Sequence, residues 1–231
     1  KPNSLQLKPE RHYVAVLCRE EEQVLGYLTD ICGSVAVTCR IAVKETDSYV
    51  ERSRALFDLE LLPAISPEKL LGICIVVPAM IDPDTREIFS TSFHLPDRTE
   101  SDIVGELAAT FREYPVALLN DTACTAYAEK VYTGIREKDF AFINFSRGIG
   151  ATLFIQDTML GKATASYTQF GHYSIDPAGP LCSCGRRGCL ERMIGEDSLL
   201  GRLAKTAGSS PLKRKDAVTY EELGHAAIYG D

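Results

Sequence analysis

One histidine and three cysteines lie within eighteen residues of a segment rich in glycine and proline. They are His172, Cys182, Cys184 and Cys189. Imidazole and thiolate are ligands that zinc prefers, and structural zinc sites hold four of them in a tetrahedron. A Cys-x-Cys pair followed by a cysteine five residues later lets a short loop present three sulfurs to one ion. The spacing predicts a structural zinc site, because four protein ligands leave no open position for catalysis.

Two other readings of the three cysteines stay open at this point: buried free thiols, or a disulfide. Cys182 and Cys184 are too close in sequence for an easy disulfide with each other. Any single disulfide would also leave one sulfur of the three over. Elemental analysis separates these readings from a zinc site, because only the zinc site contains stoichiometric metal.

The same stretch resembles the signature of a known family. Its pattern G-H-(x9)-C-x-C-G-x-x-G-C-x-E, from Gly171 to Glu191, is similar to the zinc motif of the ROK family. That family contains sugar kinases and sugar-responsive transcriptional repressors of the NagC/XylR type, and the likeness extends over nearly the whole chain. It implies an α/β protein with the two-lobed actin-like ATPase (ribonuclease H-like) fold, in which mixed sheets are flanked by helices.

The resemblance also implies how the chain is divided. Residues 1–11, which contain Lys-Pro-x-x-Leu-x-Leu-x-Pro, resemble the connector between a winged helix-turn-helix and the ROK domain of the repressors. Residues 12–118 are expected to form an N-terminal α/β lobe, and residues 119–231 a C-terminal α/β lobe with the zinc loop. By comparison with the family, we expect the second lobe to be truncated and the DNA-binding segment to be absent.

Apolar periodicity predicts the elements that position these residues. The expected strands are a meander over 12–43, buried strands over 70–77 and 115–119, a short strand over 87–92, and a pair over 140–145 and 151–155. The expected helices cover 47–61, 99–114, 193–207 and 219–229. Thr99 or Ser101 is expected to cap the second helix, and Thr219 with Glu222 to form a capping box for the last.

Asn120 and Asp121 stand between the predicted strand 115–119 and a helix that follows. Both residue types are favoured helix caps, yet the carboxyl end of a strand in an α/β sheet is also where ligands bind. The residues alone leave both readings open. The resemblance implies that they bind sugar hydroxyls, and in ROK kinases the Asp is also the general base. Asp121 has the residue type for that role.

Three more residues are implied as ligand contacts by the resemblance. Gln169 stands where the family has the glutamate of Glu-x-Gly-His, so it keeps hydrogen bonding but loses the charge. His172 would bind zinc through one ring nitrogen, and the other would hold either a sugar hydroxyl or a residue that supports the metal site. Glu191 matches the sugar-contacting glutamate, although an acid at a helix N-terminus is also favourable without a ligand.

The stretches that hold nucleotide phosphates in ROK kinases are altered here. The family's Asp-x-Gly-x-Thr is replaced by Cys18-Arg19-Glu20-Glu21-Glu22, whose three carboxylates repel a triphosphate. The family's Gly-Thr-Gly-x-Gly is replaced by Ser146-Arg147-Gly148-Ile149-Gly150. In addition, Ala79 replaces a glycine that the family usually places near the sugar. The two altered phosphate stretches argue against binding of ATP and Mg²⁺, whereas Ala79 concerns the sugar site.

Composition narrows the function classes. The net charge of −7 argues against a nucleic-acid-binding surface on these residues. Neither an apolar run of about 18 residues nor a signal-peptide pattern is present, so we expect a cytoplasmic protein without a membrane span. The other cysteines lie in apolar or strand-like contexts and are predicted to be buried, reduced thiols. They are Cys18, Cys32, Cys39, Cys74 and Cys124.

The sequence thus predicts the sugar-sensing effector domain of a ROK-type transcriptional regulator. It would bind a sugar or sugar phosphate and control the binding of operator DNA by a helix-turn-helix outside this chain. The alternative is an ATP-dependent sugar kinase with Asp121 as general base. A third reading is a dimerisation or scaffold module whose sugar site has decayed, since Ala79 and Gln169 both depart from the family. The family is usually oligomeric, which implies a homodimer.

Overall fold

A computed structural model describes residues 6–20, 22–44, 47–81, 88–91, 100–145, 148–161, 169–205 and 218–229. The chain forms two compact units. Unit 1 comprises residues 1–128 with 161–165, and unit 2 comprises residues 129–160 with 166–231. The lobe boundary expected between residues 118 and 119 stays a prediction. Among the described residues, no helix combines the length and the apolar character needed to cross a membrane.

Unit 1 is built around a five-stranded sheet. Its elements, in chain order, are β1 (Tyr13–Glu20), β2 (Gln23–Asp30), β3 (Val35–Ala42), α1 (Tyr49–Leu56), β4 (Leu70–Val77), β5 (Ala79–Ile81), β6 (Ile88–Thr91), α2 (Glu100–Thr110), β7 (Val116–Asn120) and α3 (Asp121–Tyr132), the last of which continues into unit 2. The sheet order is β3-β2-β1-β4-β7. Strands β1, β2 and β3 are antiparallel, whereas β4 runs parallel to both β1 and β7. The predicted meander and buried strands are confirmed.

The core of unit 1 lies between this sheet and helices α1 and α2. Leu17 on β1 and Ile75 on β4 are register partners on adjacent strands, and both are fully buried. A π-helical turn, Phe57–Leu61, extends α1, so the predicted helix over 47–61 is confirmed. Phe57 packs edge-to-face against Phe111, with ring centroids 5.4 Å apart.

The predicted helix over 99–114 is shorter than expected. Helix α2 spans Glu100–Thr110 and is followed by a turn in which the Tyr114 amide donates to the Phe111 carbonyl. Ser101 lies inside the helix, so its prediction as the cap is wrong. Thr99, the other candidate cap, lies outside the described residues.

A buried carboxylate anchors the segment that precedes β1. Asp30 Oδ1 accepts the amides of Cys32 and Ser34, each at 2.9 Å, in the β2–β3 turn. Its Oδ2 accepts the amide of Glu10 at 3.2 Å. The hydrogen bond from the Ser34 amide, aided by those from the other amides, lowers the pKa of Asp30. The predicted connector is therefore fastened to the sheet at Glu10.

We expect Asp30→Ala to release this lead-in segment. Backbone amides of residues 7–12 should exchange with deuterium at least about tenfold faster, since local opening sets the exchange rate. Asp30→Asn is the matched control, because its single oxygen can still hold the β2–β3 turn. Because the pKa of Asp30 is lowered in the folded protein, its carboxylate stabilises the fold fully at any pH above the ordinary pKa of Asp. This stabilisation is lost as the pH falls through the lower pKa of the folded state. Unchanged exchange in Asp30→Ala at neutral pH would contradict the anchoring role.

Unit 2 contains a smaller sheet and short helices. Its described strands are β8 (Phe140–Phe145), β9 (Ile149–Ile155) and β10 (Thr158–Met159), in the order β10-β9-β8. Its helices after the sheet are α4 (Leu190–Ile194), α5 (Glu196–Lys205) and α6 (Tyr220–Tyr229). The predicted capping box is confirmed: the Glu222 amide donates to Thr219 Oγ1 at 3.2 Å, and the Thr219 amide donates to Glu222 Oε2 at 3.1 Å.

The prediction of one continuous helix over 193–207 is wrong, because the helix is interrupted at Gly195. Helix α4 ends at Ile194, and Gly195 has extended backbone angles, with ψ of 157°, before α5 begins at Glu196. The Gly195 carbonyl accepts the amides of Ser198 and Leu199, so this residue starts a second helix rather than continuing the first. The apolar spacing runs across the break and does not reveal it.

The five cysteines outside the loop do not share one environment. Cys18, Cys39, Cys74 and Cys124 are half-buried, and burial raises the pKa of Cys18 and of Cys124 to about 11. Cys32 lies exposed in the β2–β3 turn, so the prediction that it is buried is wrong. The Asp30 carboxylate accepts the amides of Cys32 and Ser34 and folds these residues into a turn, which leaves the Cys32 side chain exposed.

Candidate metal centre and ligand site

Local backbone hydrogen bonds fold the residues between His172 and α4 into a compact loop. The Cys182 amide donates to the Arg186 carbonyl at 2.7 Å, and the Gly185 amide donates to the Cys182 carbonyl at 3.0 Å. This tight turn presents two sulfurs on one side. A bridge between Ser174 and Cys189 then returns the chain beside the histidine. The loop thereby brings the predicted ligands, which are up to seventeen positions apart in the sequence, together within unit 2.

The four predicted metal ligands meet at one point. Their ligand atoms all lie within 4.8 Å of one another. Cys182 Sγ is 3.5 Å from His172 Nδ1, and Cys184 Sγ is 3.6 Å from Cys189 Sγ. A tetrahedral zinc ion with Zn–S near 2.3 Å needs S···S separations of about 3.8 Å and S···N separations of about 3.5 Å. The donor set therefore fits zinc, and all three cysteines are free thiols rather than disulfides.

The thiols of this cluster differ in acidity. Burial alone would raise the pKa of Cys184, but hydrogen bonds from the Arg186 side chain and backbone, and from the two neighbouring thiols, lower it to about 7. Burial raises the pKa of Cys189, to about 12. A divalent metal ion favours the thiolate form of each ligand. The cluster is thus poised to lose protons when it binds metal.

Close packing against β9 sets the position of His172. Gly171 lies so near the backbone of Ile149 that an added Cβ would stand 3.1 Å from its carbonyl carbon and closer still to its oxygen. The His172 amide donates to the Gln169 carbonyl at 2.8 Å. Nδ1 is the ring nitrogen that faces the sulfurs, which directs Nε2 away from the cluster.

Glu191 connects the end of the loop with the same strand. It lies in the first turn of α4, and its Oε2 accepts the amide of Ile149 at 2.9 Å. The carboxylate also lies beside Gly148, where an added Cβ would be 2.9 Å from Oε2. Glu191 is therefore both a helix N-terminal acid and the partner of the glycine-containing turn before β9. Arg147, in the same altered motif, lies outside the described residues.

Gln169 has a partner that the sequence did not suggest. Its backbone is left-handed, with φ of 40°, immediately before the turn Phe170–His172. Its Oε1 accepts a hydrogen bond from Arg186 Nη2 at 3.1 Å. Interaction with the Cys184 sulfur raises the pKa of Arg186. The only sequence signal for Arg186 was a basic residue between two glycines of the motif.

Asn120 and Asp121 lie in unit 1, at the junction of β7 and α3. Asn120 Oδ1 accepts the amide of Ala123 at 2.9 Å, so this residue caps the helix. Asp121 Oδ1 accepts the amide of Thr122 at 2.6 Å. Burial raises the pKa of Asp121, although the hydrogen bonds from Thr122 partly offset this effect. The capping reading holds for Asn120, while Asp121 is a largely desolvated carboxyl at the end of a strand.

Comparison with protein families places the chain. The model of the ROK family matches residues 63–231, well over half of the 231 residues. The chain belongs to the ROK family. The match begins before β4 and includes the junction at Asn120, the four clustered ligands and Glu191, so the candidate site residues all lie within the ROK region.

Relatives of this ROK chain include repressors and kinases. It is 34% identical to the xylose repressor of Bacillus subtilis (strain 168) over 142 residues, which cover 60% of this chain and 35% of the repressor. It is 34% identical to the N-acetylmannosamine kinase of Pasteurella multocida (strain Pm70) over 89 residues, 37% of this chain and 29% of the kinase. The chain thus spans about a third of the length of these curated relatives.

A solved ROK structure confirms the predicted fold. The crystal structure of a ROK family transcriptional regulator, described as a homologue of the E. coli Mlc protein, matches 96% of this chain and 57% of its own. The TM-score is 0.73 at 21% sequence identity. The α/β architecture with mixed sheets and flanking helices is therefore the actin-like ATPase fold of ROK proteins.

Proposed function

We propose that this chain is the sugar-sensing part of a ROK-type transcriptional regulator. In this proposal it binds a sugar or sugar phosphate, and the bound ligand controls the binding of operator DNA by a helix-turn-helix outside the chain. Asn120, Asp121, Gln169, His172 and Glu191 are proposed as the ligand-binding residues. The regulator is proposed to act as a homodimer, whose ligand-bound state holds the paired DNA-binding segments differently from the free state.

The connection between β1 and β2 carries this proposal. Glu20 pairs with Gln23, so only two residues join the strands. The Glu22 carbonyl accepts the amide of Val43 at 2.7 Å and is thus used by the neighbouring chain segment. A phosphate loop needs several backbone amides that converge on an anion, usually at glycines. The two residues between the strands, Glu21 and Glu22, include no glycine and add negative charge, which supports sensing over phosphoryl transfer.

The turn before β9 supports the same conclusion. A nucleotide phosphate at the sequence Gly148-Ile149-Gly150 would be bound by backbone amides, yet the amide of Ile149 already donates to Glu191. The negatively charged Glu191 carboxylate accepts the Ile149 amide, so it repels a nucleotide phosphate at the backbone of Gly148-Ile149-Gly150. The relative named as a repressor matches more residues of this chain than the relative named as a kinase, which adds to the argument.

The zinc ion is proposed to have a structural role. His172, Cys182, Cys184 and Cys189 would hold it in a closed tetrahedron, where a metal ion stabilises the loop without supplying a Lewis-acid position. The tight turn orients the sulfurs, and the close contact of Gly171 with β9 positions the histidine. Glu191 fixes the end of the loop. The loop then presents Gln169 and His172 Nε2 to a ligand.

The sugar kinase remains the second candidate because of Asp121. Burial raises the pKa of its carboxyl, as is common for groups that act as general bases. The same property serves a sensor equally well, because a desolvated carboxylate forms a strong hydrogen bond with a sugar hydroxyl. An activity measurement is needed to separate these two uses of one side chain.

Calorimetric titration of a panel of sugars and sugar phosphates tests the proposed function. At least one member should bind, and Asp121→Asn should weaken it by about 1.5–3 kcal/mol, the usual contribution of a hydrogen bond to a charged group. Glu129→Gln, two turns further along α3, makes the same change of charge and should leave the affinity unchanged. Silence across the panel would favour a scaffold, and ATP-dependent formation of a sugar phosphate would favour the kinase.

A further inference from the structure

Arg186 determines which half of the Gln169 amide is available to a ligand. The guanidinium has five N–H donors and no acceptor. Its Nη2 lies 3.1 Å from Gln169 Oε1, and only the oxygen of an amide can accept such a bond. The NH₂ group on the other side of the amide is therefore directed away from Arg186. At this position the loop presents a hydrogen-bond donor.

Arg186 is itself held by the cluster beside it. The Cys182 amide donates to the Arg186 carbonyl at 2.7 Å, so the turn that carries two of the predicted metal ligands fixes the backbone of Arg186. The hydrogen bond from Arg186 to Gln169 thus links Gln169 to that turn. The Arg186 guanidinium places a positive charge beside Gln169. Gln169 itself is neutral and adds no negative charge at this position.

We propose that Arg186 and Gln169 together select a sugar that carries an anionic oxygen, such as a phosphate or carboxylate group. This inference rests on the proposed function, since it requires that Gln169 touch the ligand. A glutamate at position 169 would repel an anionic group and could only accept hydrogen bonds. Gln169, oriented by Arg186, donates a hydrogen bond to such a group and adds no opposing charge. Arg186 acts as a positioning residue and Gln169 determines specificity.

Titrations with glucose, glucose 6-phosphate and glucuronate test this selection. These probes share a ring and differ in the anionic oxygen, and the last two separate a phosphate source from a carboxylate source. The wild-type protein should bind at least one anionic probe about 10- to 100-fold more tightly than glucose, as expected for a hydrogen bond to a charged group. Gln169→Glu should abolish or reverse that preference.

Two arginine variants separate positioning from general damage to the loop. Arg186→Gln should reduce the preference for the anionic probe while the metal content stays unchanged. Arg187→Gln is the matched control, because Arg187 donates to the Gly179 carbonyl at 3.3 Å instead, and its preference should equal that of the wild type. The ratio of affinities is the readout, since a merely structural role would weaken all probes together.

The outcomes distinguish this inference from the function on which it rests. Binding with the same ratio in wild type and Gln169→Glu would overturn the selection but leave sugar sensing standing. Binding of glucose alone would do the same. If none of the three probes and no sugar in the wider panel binds, both the sensing function and the selection are overturned. A ratio that falls in Gln169→Glu and Arg186→Gln but not in Arg187→Gln supports the proposal.

Discussion

Replacing Cys189 by serine should remove the metal ion and unfold the loop between residues 169 and 191. Cys189 is fully buried, and its Sγ lies 3.6 Å from that of Cys184. Its carbonyl also accepts the Met193 amide at 3.0 Å, at the start of α4. A serine hydroxyl is a poor zinc ligand at neutral pH, so one corner of the tetrahedron would be lost. The other three predicted ligands and the start of α4 would then no longer be held together through Cys189.

The expected loss is large because metal binding contributes directly to folding. Structural zinc in small domains has apparent binding free energies of about 10–16 kcal/mol, whereas whole domains are stable by about 5–15 kcal/mol. Losing one ligand of four should cost on the order of 3–5 kcal/mol of unfolding free energy. Metal content by elemental analysis and thermal unfolding with and without chelator measure the effect.

Cys32→Ser is the control for the loss of a thiol. Cys32 is exposed in the β2–β3 turn and lies outside the cluster, so this variant should keep both its metal and its melting temperature. A chelator should lower the stability of the wild type and of Cys32→Ser, but not that of Cys189→Ser. Retention of one equivalent of metal by Cys189→Ser would contradict the predicted ligand set.

Replacing Gly188 by alanine should destabilise the same loop by a different route. Gly188 has a φ of 60°, and an added Cβ would stand 2.5 Å from the carbonyl carbon of Asp176 and closer still to its oxygen. These are backbone atoms, so no side-chain rotation relieves the clash. The Gly188 carbonyl also accepts the amides of Ile175 and Asp176, and any shift would break these bonds. We expect a loss of more than about 3 kcal/mol, in the range of exceptional single substitutions.

Gly185→Ala is the matched control for this clash. Gly185 also has a left-handed backbone, with φ of 82°, but no atom lies within 4 Å of an added Cβ. Alanine there should cost only the conformational penalty of about 1–2 kcal/mol. Thermal unfolding and metal content of the two variants compare clash with conformation directly. Equal stability losses would show that the close approach to Asp176 is not needed for the fold of the loop.

The sequence reveals the cluster of His172 and three cysteines because its four members are near one another in the chain. The loop is folded by local hydrogen bonds, so the spacing of the four residues already contains most of the geometry. The meander and the strands over 70–77 and 115–119 were predicted correctly for a similar reason, since runs of apolar residues mark strands directly. Features that depend on residues close together in the chain are therefore predictable without knowledge of the tertiary contacts. The short strand β5 (Ala79–Ile81) was not predicted.

Other features depend on contacts that no local pattern records. The bond from Arg186 to Gln169 joins residues on two sides of the loop, and neither residue type indicates a partner. The break at Gly195 interrupts a continuous apolar spacing, because one residue with an extended backbone ends a helix without changing the pattern of apolar residues. Asn120 was left with two readings because a strand end that precedes a helix is the right place for both a cap and a ligand contact.

The most direct test of whether this ROK chain senses sugar without using nucleotide is an assay for sugar phosphate. The full-length protein is incubated with Mg²⁺-ATP and the sugar that it binds, and the formation of sugar phosphate is measured. The acidic two-residue turn after β1 predicts that no sugar phosphate forms and that ATP does not change the affinity for the sugar. Steady formation of sugar phosphate, abolished by Asp121→Asn, would contradict the sensing function and identify a kinase.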